Sequence, residues 1–113
     1  MKIEKFHIYL ADLNPGRGTE PGKIRPVVVI QTDLLNPVHV STIVCPFTTH
    51  VIKEATLLRV HIATGFSGLN QPSDILIDQI RAIDNRRFNK HIGKLSPEER
   101  QRLLNNLRII ILE

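Results

Sequence analysis

The chain is poor in the residues on which several kinds of site depend. It has one cysteine, Cys45, in 113 residues, which excludes an internal disulfide framework and gives a thiolate metal site no partner. Its five histidines, His7, His39, His50, His61 and His91, never stand at the short spacings that zinc sites use. No metal and no cofactor is expected. Tryptophan is absent, and one tyrosine with four phenylalanines is little for a platform that grips single strands by stacking. No apolar run is long enough to cross a bilayer, and the opening residues Met1 to His7 lack the apolar core of a secretory signal. The expected compartment is the cytoplasm, with no membrane partner. No Gly-x-Ser-x-Gly elbow marks a serine hydrolase.

What is present suits one domain over residues 1–113, with 42% hydrophobic residues to fill a core. The formal net charge of +4 favours a polyanionic partner, although a mild excess also fits a solvated charged face. Phe6, Ile8 and Leu10 alternate with His7, Tyr9 and Ala11, the period of a half-buried strand. Pro26 to Ile30 is a short β-branched run that predicts a strand buried on both faces. In Ser41 to Thr49, Pro46 cannot donate to a ladder, so this strand lies at an edge or bends there. Leu58, Val60 and Ile62 predict another half-buried strand. A further strand runs from Ile75 through to Ile83, and a short element at Ile92 to Leu95 closes the sheet. Ser96, Pro97 and Glu99 form a helix start with a capping box, followed by a stripe of Leu103, Leu104, Leu107 and Ile111. Short strands between Gly/Pro turns, then one helix, predict a mainly β fold: a small antiparallel barrel or curled sheet with a C-terminal helix.

The segment Gly16-Arg17-Gly18-Thr19-Glu20-Pro21-Gly22-Lys23-Ile24-Arg25 is long for a hairpin connection, and long loops are often functional. It leads into a strand and lacks a Gly-Lys-Ser/Thr ending, so it is not a P-loop. It sets Arg25 at a strand start, with a guanidinium fork that suits a phosphate. Thr48 and Thr49 end a strand, which plain β-propensity explains and which also presents hydroxyls to a phosphate. Asp78, Gln79 and Arg81 lie where an apolar strand turns polar. They either tie strands together or contact base edges. Cys45 sits in an apolar run and reads as an inert core thiol.

Three stretches together carry a resemblance: Leu13-Asn14-Pro15 through Arg25-Pro26-Val27-Val28-Val29-Ile30, Ile43 to Thr49, and Asp78-Gln79-Ile80-Arg81-Ala82-Ile83-Asp84. In order and spacing they resemble the MazF/PemK toxin family of toxin–antitoxin systems, over nearly the whole chain. The resemblance implies an SH3-like barrel with a C-terminal helix, a homodimer, and an antitoxin partner with an acidic tail. It also implies a ribosome-independent, metal-independent endoribonuclease that cuts single-stranded RNA at short sequences. The ribose 2′-hydroxyl would attack the neighbouring phosphate and leave a 2′,3′-cyclic phosphate.

By motif position the catalytic pair would be Arg25 and Thr48, with Asp78 the candidate general base and His50 a weaker one. RNA would contact Thr19, Glu20, Lys23, Thr49, Gln79 and Arg81. Arginine is too basic to take the 2′ proton, so Arg25 is cast as stabiliser of the phosphorane charge. Two departures thin the proton-transfer set: Phe6-His7 replaces the Gly-Asp of many relatives, and Leu76 stands where some carry arginine. A non-enzymatic gyrase poison and a catalytically inactive RNA- or protein-binding module on the same barrel are the alternatives.

Overall fold

The computed structural model describes residues 1–19, 22–65 and 67–113. Seven strands precede the helix: β1 (His7–Asp12), β2 (Ile24–Val29), β3 (Ser41–Thr48), β4 (Arg59–Ile62), β5 (Ser73–Leu76), β6 (Arg81–Asp84) and β7 (Phe88–Lys94). The helix α1 spans Pro97–Leu107 and continues as a wider turn over Arg108–Leu112. All pairings are antiparallel, in the order β4-β5-β3-β2-β1-β7, with β6 also on β3. No helix is long and apolar enough to cross a membrane, among the described residues.

β3 is the central strand, not an edge. Its first half pairs with β6, from Ser41↔Asp84 to Val44↔Arg81, and its end pairs with β5 at Phe47↔Ile75 and Thr48↔Asp74. Pro46 sits where one partner gives way to the other. Ile30 N–H donates to Ile43 O at 3.0 Å; the two-residue alternation from there points the Pro46 nitrogen away from β2, into that gap, where no donor is needed. The change of partner at this point is what lets the proline be tolerated inside the sheet.

The single strand anticipated over Ile75 to Ile83 is two strands with a 3₁₀ turn, Ile77–Gln79, between them. β1 is also buried on both faces rather than one, because Ile8, Tyr9 and Ala11 are all sealed from solvent. Strand alternation sorts the core into two clusters. One gathers Ile8, Val28, Cys45, Phe47, Ile75 and Leu103 on the helix side. The other gathers Tyr9, Ala11, Leu13, Val27, Val29, Val44 and Ile83 on the opposite face.

The barrel is not closed by a ladder. β7 is longer than the segment predicted and, among the described residues, pairs only with β1. The seam is instead a loop contact in which Ser67-Gly68 lies against Ile92-Gly93. A Cβ on Gly68 would overlap Ile92 O, and one on Gly93 would overlap Ser67 O. Gly68 also has φ +74°, a conformation that glycine adopts without penalty.

The capping box forms as read. Glu99 N donates to Ser96 Oγ at 3.2 Å, and Ser96 N donates to Glu99 Oε1 at 2.8 Å. Leu103 is fully buried, with Leu107 and Ile110 packed on the core. Leu104 and Ile111 are exposed, because the helix lies mainly against β4 and the 3₁₀ turn and needs a narrow apolar stripe.

Candidate active site

Four side chains from four strands line up across one face of the sheet. The β2–β3 register, Val27↔Pro46, continued by two residues sets Arg25 opposite Thr48. Thr48 is opposite Asp74, and Asp74 is opposite His61. Residues opposite one another share a face, with Cβ atoms about 5 Å apart. The row therefore runs Arg25, Thr48, Asp74, His61 over β2, β3, β5 and β4, on the face away from Phe47 and Ile75.

The loop before β2 aims the arginine. Lys23 N donates to the Asn14 side-chain oxygen at 2.6 Å, and Leu13 N donates to Lys23 O at 2.9 Å. Lys23 itself has φ +56°, an uncommon conformation for a residue with a Cβ, and turns the chain into β2. Arg25 Nε donates to Gly22 O at 3.0 Å and Nη1 to Phe47 O at 3.2 Å. Gly22 packs so closely on the start of the loop that a Cβ there would lie 2.8 Å from Gly16 N. The rest of the guanidinium faces a pocket of about 190 Å³ lined by Lys23, Ile24, Arg25, Pro26, Phe47, Thr48, Thr49 and Ser73.

Among the described residues its lining holds two cationic side chains, three hydroxyl side chains and no carboxylate, a composition that suits a phosphate diester. Thr48 Oγ1 accepts from His50 N at 3.2 Å, which leaves its hydrogen to donate. A larger hollow of about 750 Å³ near the N-terminus mixes Glu4 and Asp33 with Lys2 and Arg86 and has no convergent donor set. Among the described residues, no group of three or more His, Cys, Asp or Glu stands ready to hold a metal.

The other anticipated residues are spread out. Thr19 is exposed in the loop, and Glu20 lies outside the described residues. Asp78 is exposed and Gln79 half-buried on the 3₁₀ turn. Asp78 does not line the Arg25–Thr48 pocket. It lies between Ile75, opposite Phe47, and Arg81, opposite Val44, where its charge acts on the Cys45 thiol. Arg81 is half-buried opposite Val44, and its Nη1 is a buried atom with no hydrogen-bond partner. No carboxylate ties it to a neighbouring strand in the hydrogen bonds and ion pairs of the described residues, which removes the strand-tie reading of this arginine. The Cys45 thiol is pushed up to about 12 by burial first and the nearby Asp78 charge second, so it is inert as a nucleophile.

Sequence reading missed the cluster beneath the site. Asp74 is fully buried. Its Oδ1 accepts from His61 Nδ1 at 2.5 Å, and its Oδ2 accepts from Arg59 Nη1 and from Ile52 N, both at 3.0 Å. Burial alone would raise the Asp74 pKa, but the bonds from His61, Ile52 and Arg59 together hold it below the ordinary value. The available signal was the polar alternation of Arg59 and His61 facing a lone Asp at the start of the next strand.

Among the described residues, an open antiparallel sheet of seven strands with one C-terminal helix defines a small, mainly β protein. The family model for the PemK-like, MazF-like toxin of type II toxin–antitoxin systems matches residues 4–111. The Endoribonuclease MazF of Staphylococcus saprophyticus is 36% identical over 107 residues, covering 95% of this chain and 89% of that protein. The Mycobacterium tuberculosis toxin MazF-mt6 matches at 25% identity with a TM-score of 0.77, covering 91% of this chain and 93% of that one. MazF from Deinococcus radiodurans, at 19% identity, shares the fold with a TM-score of 0.84, covering 100% and 99% of the two chains. The chain belongs to the PemK-like, MazF-like family of type II toxins.

Proposed function

We propose that this chain is the toxin of a toxin–antitoxin pair and acts as an endoribonuclease on single-stranded RNA, without a metal. The pocket in which Arg25 and Thr48 converge with Lys23, Thr49 and Ser73 is the observation that supports this reading most directly. The 36% identical relative is an endoribonuclease by name, and a related toxin has been solved as a MazE–MazF complex.

In the reaction the ribose 2′-oxygen bonds to phosphorus and the bond to the 5′-oxygen breaks, giving a 2′,3′-cyclic phosphate and a 5′-hydroxyl end. The crowded phosphorane carries more negative charge than the diester. A guanidinium already anchored on Gly22 O and Phe47 O stabilises that charge without reorganising. Thr48 donates its hydroxyl to a non-bridging oxygen. Among the described residues the pocket lining holds no carboxylate or imidazole, and Asp78 serves base contacts with Gln79 and Arg81. A second copy of the chain and an acidic antitoxin segment that covers the basic site complete the assembly.

Purified protein is incubated with a long single-stranded RNA in chelator, and the new ends are mapped. Cleavage with cyclic-phosphate ends is expected, and Arg25→Ala is expected to lose about 100-fold or more in rate, as removal of an oxyanion donor does. Intact RNA would mean a gyrase poison or a plain binding module instead, and equal cutting by Arg25→Ala would mean that the cutting does not come from this site.

A further inference from the structure

We infer that Asp74 is a positioning residue for the cleavage site, acting through Arg59 and the His50 backbone to hold Thr48 as a hydroxyl donor. The inference rests on the nuclease reading above. Asp74 lies next to Thr48 in the cross-strand row and has no exposed surface. A buried carboxylate is a poor stabilising device, since desolvation offsets most of what pairing returns. What this one does is organise the connection that leaves Thr48.

Three backbone groups of that connection are held from beneath. Asp74 Oδ2 takes Ile52 N at 3.0 Å, Arg59 Nη1 gives one bond to Asp74 and another to His50 O at 2.7 Å, and His61 Nε2 lies 3.3 Å from Lys53 O. His50 is thus fixed at both ends, its carbonyl on Arg59 and its N–H on Thr48 Oγ1. That N–H occupies a lone pair of the threonine hydroxyl. The hydroxyl hydrogen is then free to point at an anion, and the side chain is held in one rotamer. Without the carboxylate, Arg59 loses its anchor, His50 is released, and Thr48 is free to turn.

The test uses the RNA sequence cut by the wild type and a matching oligonucleotide with a single 2′-deoxy at the cut, which binds but cannot react. Asp74→Asn keeps the shape and removes the charge. It is expected to slow single-turnover cleavage at saturating RNA about 10-fold, because small misplacements of reacting groups are costly. Its affinity for the deoxy oligonucleotide is expected to stay within about twofold, because Asp74 touches no RNA. The His50 amide is expected to exchange faster with solvent, while Val28 and Phe47 amides keep their protection.

Should Asp74→Asn fail to fold, His61→Gln takes its place, on a ring 36% exposed, with about a threefold loss expected at unchanged affinity. A variant rate equal to wild type, or a loss carried entirely by affinity, overturns the inference while leaving the nuclease reading intact. A wild type that cuts nothing overturns the nuclease reading itself, and the inference falls with it.

Discussion

Arg25 shows how an anchor sets the direction of a single side chain. A free arginine samples many rotamers, whereas this one is fixed at Nε by Gly22 O, and Gly22 is pressed against Gly16. Adding a Cβ at Gly22 would place it 2.8 Å from Gly16 N and 3.3 Å from Asn14 Oδ1, so the carbonyl that holds Arg25 must move. Gly22→Ala is therefore expected to lower the RNA cleavage rate about 10-fold with little change in melting temperature, because the segment lies outside both cores. Cleavage assays beside a thermal melt check this; a normal rate would show that Gly22 O does not aim the guanidinium. Arg25 and Thr48 were legible in the sequence because each stands at a strand end and within a motif. Asp74 was not, because its importance comes from register. Only the pairing of β5 with β3 and β4 places it beside Thr48 and His61, and register between distant strands leaves no local mark.

At the level of elements, local chemistry was readable and long-range closure was not. The capping box of α1 and the doubly buried β2 follow from short patterns. The break between β5 and β6 escaped notice because Ile75 to Ile83 contains no glycine or proline to announce it. Asp78 was accordingly placed on a strand when it sits on a turn, away from the Arg25 pocket. The seam between the loop after β4 and strand β7 was equally hidden, since Gly68 and Gly93 matter through each other's backbone neighbours. Gly68→Ala forces a Cβ into Ile92 O at a positive φ and is expected to cost about 2 kcal/mol or more. A urea or thermal unfolding curve measures this, and an unchanged midpoint would mean that the seam opens freely.

The whole molecule should feel acid in two stages. His7 lies 2.9 Å from His91, ring nitrogen to ring nitrogen. Its pKa is lowered from 6.5 by burial first, with Glu4 opposing and His91 and Lys94 adding to the effect. A lowered folded value means that the unfolded chain takes the proton first, so stability falls as pH drops below about 6.5. Asp74 follows the same sign at lower pH. Its folded value lies below the ordinary one, so its contribution is complete at neutral pH and is lost as pH falls from about 4 through the folded value. The urea midpoint is expected to decline between pH 7 and 5, and again below 4. His7→Gln should remove the first decline and Asp74→Asn should blunt the second. A flat profile from pH 7 to 5 would mean that the His7–His91 contact carries no linkage.

The cross-strand row also has a meaning for how such a chain is made. Arg25 and Thr48 are translated early, and the hairpin of β2 and β3 brings them together. The carboxylate beside Thr48 is added 26 residues after it, in a strand that pairs with the end of β3 while the later β6 pairs with its first half. A growing polypeptide that has not reached Asp74 holds both side chains without the carboxylate that pins the turn after Thr48. The two pocket side chains thus meet in an early hairpin, and the turn after them is pinned by a strand that comes later in the chain.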